Sequence, residues 1–237
     1  MNGEPGAPRQ RWRLVVGLPT STVAGERPAG IRSWADALQA AGLPLAAGAG
    51  GRGLRITQAA PLPLGIAGER EVVDIYLSER LPIAEARARL VAALPAGVTL
   101  VDLHDVWLGA IAAPAAVRGA EYRLDAQGAP RAAVEAAVAR LLAARSLPRE
   151  RRRERRTVPY DLRPLVDRLE VSRWEDTEPG GPAGILVMRL RHTSDATGRP
   201  EEVLAALAEE IGTPLAVRSI VRERLLLDER PAGTSGG

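Results

Sequence analysis

Apolar spacing in this chain switches between two periods in a fixed order, and that order occurs twice. Arg11–Leu18 reads as a strand. Ile31–Ala41 follows with Ile31, Trp34 and Leu38 on one helical face, ended by Gly42 and Pro44. Leu54–Thr57 is a short extended stretch. In Glu71–Leu77, Val73, Ile75 and Leu77 share one side of a strand, while Asp74 and Tyr76 take the other. Pro82–Leu94 spaces Ile83, Ala86, Leu90 and Leu94 as a buried helical stripe, with Glu85 and Arg89 placed to pair on the outer face. Val98–Val106 closes the half. The order is β-α-β-β-α-β.

The second half repeats it with one insertion. Glu121–Asp125 is a short strand. Arg131–Arg145 is a helix with Val134, Val138, Leu141 and Leu142 on one stripe. A charged strand is expected over Arg149–Val158 and a short helix over Leu162–Arg168. Glu170–Trp174 and Ile185–Arg191 form a hairpin around Gly180 and Gly181. Pro200–Ile211 is a helix begun by its own proline, and Leu215–Leu227 is the last strand. An amphipathic helix needs a sheet face, and a sheet needs a covered face. The expected fold is therefore α+β: two ferredoxin-like split βαβ units with antiparallel sheets. Residues 11–110 form the first unit and residues 119–228 the second. An Ala/Pro-rich link joins them near 108–118, and flexible tails occupy 1–10 and 229–237.

Composition excludes several function classes. The 237 residues include no Cys, so disulfides, a Cys-ligated zinc and an iron–sulfur cluster held by this chain are ruled out. His104 and His192 are the two histidines and lie far apart in sequence, which argues against a multi-histidine metal site; no metal and no cofactor are expected. Every one of the 32 basic residues is Arg. Because 29 acidic residues nearly balance them, the pI near 10.1 is mild support for an anionic partner. The first ten residues lack an apolar core, and no run approaches the ~18 apolar residues of a membrane span. The expected location is cytoplasmic, without membrane association.

The strongest charge feature is Arg149-Glu150-Arg151-Arg152-Arg153-Glu154-Arg155-Arg156. Six guanidinium groups in eight residues suit phosphate, and RNA is the natural candidate. A solvated edge strand guarded against aggregation has the same pattern. Gly48–Gly53 fits GxGxxG, but prolines follow where a dinucleotide fingerprint needs a helix, so a loop is expected. His104 and Asp105 are strand neighbours on opposite faces and make a poor acid–base pair. Asp161, ahead of Leu162, Arg163 and Pro164, reads as a helix cap, with Arg163 aimed at a ligand as the alternative.

Several segments in order resemble one family. They are Ala41–Leu45, Pro61-Leu62-Pro63-Leu64-Gly65-Ile66 with Glu71 and Asp74, Leu94–Val98, Tyr122, Asp161-Leu162-Arg163-Pro164, and Arg222. Together they are similar to the radical SAM-linked protein family, a conserved domain of unknown function, over about residues 11–227. Pro61, Pro63, Gly65, Asp161, Arg163 and Arg222 carry the motif positions. The family's usual Ser-His-Leu-Asp-like turn is replaced here by Thr20–Gly30, and its Pro-His-Pro loop by Gly48–Gly53. The resemblance implies a partner: a cobalamin-type radical SAM protein encoded nearby, with RNA or the ribosome as the object.

A thiol-free chain cannot hold the cluster of such an enzyme. The expected role is a non-catalytic accessory that binds or presents substrate, with Arg149, Arg151, Arg152, Arg153, Arg155, Arg156 and Arg163 on RNA or partner. One alternative is an RNA-modifying enzyme using Asp161 or Asp74 in a cleft between the halves. Another is a module for protein interaction only, marked by a large apolar patch on an open sheet face.

Overall fold

A computed structural model describes residues 7–20, 31–48, 53–153, 156–177 and 180–228, with 31–34 and 152–153 described through their backbone alone. The chain is mixed α/β with antiparallel strand pairing. It divides into two units, Met1–Val117 with Leu227–Gly237, and Arg118–Leu226.

In the first unit, β1 (Gln10–Leu18) leads to α1 (Ile31–Ala40), β2 (Ile56–Gln58), β3 (Ile66–Leu77), α2 (Ile83–Ala93), β4 (Thr99–Asp105) and a one-turn helix α3 (Ala113–Ala116). The strands lie in the order β4-β1-β3-β2, and each neighbouring pair is antiparallel. Trp12, Leu14 and Val16 of β1 meet Val73, Ile75 and Leu77 of β3 on one face. Leu38, Ala86 and Leu90 from the helices and Leu103 of β4 complete that core. Each fully buried Leu, Ile or Val contributes roughly 1.5–3 kcal/mol, so this face dominates the unit's stability. The opposite face is also closed. Arg11, Arg13, Asp74 and Tyr76 are all buried there.

In the second unit, β5 (Val117–Gln127), α4 (Arg131–Ala143), β6 (Pro148–Arg153), β7 (Arg156–Asp161), β8 (Val166–Glu175), β9 (Ala183–Arg191), α5 (Pro200–Ile211) and β10 (Ala216–Leu227) follow one another. Its main sheet runs β10-β5-β9-β8, while β6 and β7 pair as a separate hairpin. Helix α4 buries Val134, Ala137, Val138 and Leu141 and packs on β8 and α5; α5 buries Val203, Ala206 and Leu207. Numbered from its own start, each unit places its main strands in the order four, one, three, two.

Some expectations need correction. The charged strand over Arg149–Val158 is two strands, β6 and β7, because the chain turns back on itself and sets Arg153 opposite Arg156. No helix spans Leu162–Arg168: a 3-10 turn covers Arg163–Leu165, and β8 begins at Val166. Pro164 fits the first turn, but the apolar residues beyond it, Leu165, Val166 and Leu169, are buried as part of the strand side of the core. Ile83 lies at the start of α2 and is exposed rather than inward. The Ala/Pro-rich stretch near 108–118 contains α3 and the start of β5. The expected Glu85–Arg89 pair is formed, and Arg89 also donates to the Gly42 carbonyl over 3.0 Å. Most of the expected tails (residues 1–6 and 229–237), residues 21–30 and residues 49–52 of the glycine-rich loop lie outside the described residues.

Candidate nucleic-acid interface and buried carboxylates

The arginine run folds as a hairpin whose two sides differ. Arg149 and Arg151 alternate with Glu150 on β6, and the register sets Arg149 opposite Tyr160 and Arg151 opposite Val158. Their guanidinium groups turn back onto the unit. Arg149 donates to Glu209 of α5 over 2.8 Å and to the Pro148 carbonyl. Arg151 donates to the Asp195 carbonyl and lies 5.6 Å from the centre of the Tyr160 ring. Burial, then the nearby Glu202 carboxylate, raises the Tyr160 hydroxyl above its ordinary value of 10.0. Arg156 and Glu150 are exposed. The side chains of Arg152 and Arg153, and the whole of Arg155, lie outside the described residues.

Arg163 is directed at main chain. Its Nε and Nη2 donate to the Leu142 carbonyl over 3.1 and 2.9 Å, and its Nη1 to the Val166 carbonyl over 2.8 Å. A guanidinium at the last turn of α4 satisfies a carbonyl that the helix leaves unpaired, and its charge complements that end of the dipole. Asp161 Oδ1 accepts from Leu147 N over 2.8 Å and from Arg163 N over 2.9 Å. Those donors, Leu147 first, hold its carboxyl below the usual 3.8 against a smaller opposing effect of burial. The Asp161 carboxylate thus clasps the base of the β6–β7 hairpin to the turn that follows.

Asp74 sits at the centre of a buried ionic cluster. Arg13 is its direct cross-strand neighbour, and Arg11 is two residues further along β1. Arg13 donates to Oδ1 over 2.8 Å and to Oδ2 over 3.2 Å. Arg11 donates to Oδ2 through Nε at 3.1 Å and through Nη2. Arg11 also reaches the Ala110 and Ile111 carbonyls, both at 2.9 Å, while Ala113 N donates to Asp74 Oδ2 over 3.3 Å. All three side chains are almost wholly buried. The cluster therefore ties the segment before α3 onto the sheet. Sequence reasoning puts Asp74 on the correct face but misses both arginines. The signal for them is the alternation Arg11-Trp12-Arg13-Leu14, which aims two guanidinium groups at the face that carries Asp74.

Among the other motif positions, Gly65 has φ +78°, a left-handed conformation that glycine adopts without the strain a Cβ would bring. Pro61 and Pro63 lead into that turn. Arg222 is buried in β10. His104 is partly exposed, with Nδ1 3.6 Å from Asp102 Oδ2, and His192 pairs through its backbone with Thr197 and Arg118. Among the described residues, no three His, Cys, Asp or Glu side chains group as a metal site. No helix among them is long and apolar enough to cross a membrane.

Residues 31–200 match the model of a family described as "Uncharacterized protein conserved in bacteria (DUF2344)". The chain belongs to this family. The family match covers both units in part, from α1 to the first residue of α5. It includes the Pro61–Ile66 turn, Asp74, Asp161 and Arg163, and leaves out β1 and β10, so Arg11, Arg13 and Arg222 stand outside it. No curated protein matches the chain. A solved structure titled "Crystal Structure of a Cbf5-Nop10-Gar1 Complex" is similar at 10% identity and TM-score 0.44. The similarity covers 90% of this chain and 50% of that one. The chain thus spans about half the length of that solved chain.

Proposed function

We propose that each unit is a ferredoxin-like split βαβ unit, and that the chain is a non-catalytic recognition protein serving a cobalamin-type radical SAM enzyme, with RNA as the object gripped. The strand order four-one-three-two in both units supports the architectural half. One observation carries the functional half: the two carboxylates that the sequence puts forward for catalysis are both committed to structure. Asp74 is enclosed by Arg11 and Arg13, and Asp161 is held by backbone N–H groups. Neither is a free base at the wall of a cleft, so a carboxylate-based RNA-modifying enzyme is the weaker reading. Without thiols, the chain would contribute binding to the reaction of a cluster-bearing partner.

The β6–β7 hairpin supplies the anion-binding candidate. Arg149 and Arg151 anchor its base, which leaves Arg156 and the arginines beside it in sequence as the groups to meet phosphate. Two measurements test the proposal. Labelled single-stranded RNA is titrated against the full chain and against a variant with Arg152, Arg153, Arg155 and Arg156 changed to Gln. Each phosphate that the variant no longer neutralises should lower the slope of log K against log salt by about 0.7. Equal slopes would remove the hairpin from RNA binding. Co-purification with the radical SAM protein encoded beside it tests the partner, and reproducible failure to associate would remove that half.

A further inference from the structure

A second candidate site lies wholly within the first unit, where the start of β1 meets the ends of β3 and β4. A cleft of about 380 Å³ opens there, lined by Arg9, Arg80, Gln10, Asp105, Trp107 and Leu108 among others. A neighbouring hollow is bounded by Arg9 and Arg80 as well, with Ser78 and Glu79. Trp107 is 75% exposed, the highest value among the large apolar side chains described. By contrast Trp12 and Trp174 are buried. A tryptophan this open is the informative exception to ordinary burial, because covering it would release a large apolar area from water.

The segment that carries Trp107 is tied by backbone hydrogen bonds. The Trp107 ring lies against the backbone of Gly109: a methyl group at that glycine would come within 2.6 Å of Trp107 Cη2 and 2.7 Å of Cζ2. Ala110 N donates to the Trp107 carbonyl over 2.9 Å, and Val106 N to the Arg11 carbonyl over 2.8 Å. The same Arg11 is clamped by Asp74 and by the carbonyls of Ala110 and Ile111, so the buried ionic cluster sets the path of the Trp107 segment.

The basic side of the cleft is also held. Gln10 accepts from Leu81 N over 3.0 Å and donates to Asp105 over 2.9 Å, which binds the loop carrying Arg80 to the end of β4. Asp105 is thereby engaged by an amide, and Arg9 is fixed by its own N–H to the Leu77 carbonyl. Arg9 and Arg80 are both exposed. Among the described residues, neither guanidinium has an ion pair; Glu79 is the one other acid bordering the hollow.

An open aromatic plate beside two exposed guanidinium groups is the chemistry that holds a base and its phosphate together. We propose that this cleft takes a nucleotide unit of single-stranded RNA, the base stacked on Trp107 and the phosphate between Arg9 and Arg80. The inference rests on the reading of the chain as an RNA-binding accessory. It differs in placing a base contact on the first unit instead of the hairpin. Stacking on an aromatic ring adds affinity with little sequence preference, and guanidinium groups supply the salt-dependent part.

The test uses the full chain with a fluorescein-labelled ten-residue oligouridylate, and with AMP as competitor and tryptophan quencher. Five proteins are compared: the parent, Trp107→Leu, Gly109→Ala, the Arg9→Gln/Arg80→Gln pair, and the hairpin variant with its four arginines changed to Gln. Trp107→Leu should weaken oligouridylate binding on the order of tenfold without changing the salt slope, and should abolish quenching by AMP. The arginine pair should lower the slope by about 0.7 for each phosphate it ceases to neutralise. Gly109→Ala, which pushes the ring off its seat, should reproduce part of the Trp107→Leu loss. All sites substituted in the cleft are exposed, and far-UV circular dichroism checks that each variant folds. Unchanged affinity and quenching in Trp107→Leu would overturn the proposal. If the hairpin variant alone loses RNA, the cleft proposal fails and the hairpin reading stands; the reverse pattern separates them the other way. If the cleft variants lose the radical SAM protein and keep RNA, the cleft belongs to a protein partner and the proposal is overturned.

Discussion

Arg13 and Asp74 face each other across the antiparallel pairing of β1 and β3, and Arg13 Nε donates to Asp74 Oδ1 over 2.8 Å. With Arg11 on the other oxygen, one carboxylate bonds two buried guanidinium groups. Desolvating such charges is costly, and the cost is offset only while all partners are present. Deleting the carboxylate is therefore worse than never having built the cluster.

Asp74→Asn should lower unfolding stability by about 3–5 kcal/mol, read as a shift of the urea midpoint at unchanged slope. Replacing all three, as Arg11→Met/Arg13→Leu/Asp74→Leu, should recover much of that loss. A catalytic Asp74 predicts the opposite pattern, a stable Asp74→Asn protein without function.

Asp161 offers a smaller, local test. Asp161→Ala removes the acceptor shared by Leu147 N and Arg163 N, and should cost about 1 kcal/mol, as for other side-chain caps. Amide exchange at Leu147 and Arg163 should rise with it. Retained protection at both would show that the backbone there is held by something else.

Packing allows no side chain at Gly184. A Cβ there would lie 2.2 Å from the Arg173 carbonyl and 2.7 Å from Cε3 of Trp174, which is its cross-strand partner. Gly184→Ala should destabilise by about 1–3 kcal/mol through overpacking. It should also change the emission of Trp174, whose Nε1 donates to the Ala129 carbonyl over 3.0 Å. A variant with parental stability would mean that β8 and β9 separate more readily than this register implies.

Glu121 gives a pH dependence with a definite sign. Its hydrogen bond from Arg224, helped by Arg189, lowers its carboxyl below the ordinary 4.5, against an opposing effect of burial. A carboxyl with a depressed folded pKa adds stability above its unfolded value, and that stability is lost as the pH falls through the folded one. The Tm gap between parent and Glu121→Gln should therefore be open near neutral pH and should close as the pH falls below the ordinary carboxyl range through the lowered folded value, as seen by calorimetry. A gap that persists in stronger acid would assign the effect to shape rather than charge.

The periodic segments are legible in the sequence because their physics is local. Val73, Ile75 and Leu77 alternate as a strand must, and Pro200–Ile211 begins and ends where its proline and Gly212 dictate; Gly212 takes φ +83° at the helix end. The β6–β7 hairpin reads as one strand because a run of charged residues carries no apolar alternation to mark its reversal. Arg163 can be read toward a ligand or toward the backbone, since sequence does not say which carbonyls a guanidinium will find.

Local spacing alone determined the apolar-periodic strands and helices, the face on which Asp74 stands, and, through the absence of thiols, that this chain cannot supply Cys ligands to a cluster. Tertiary structure decided which charges meet. Arg11 and Asp74 are 63 residues apart and touch only because β1 and β3 pair. Trp107 is open for a related reason: whether an apolar ring is covered depends on what the rest of the chain brings over it, and no neighbour in sequence determines that.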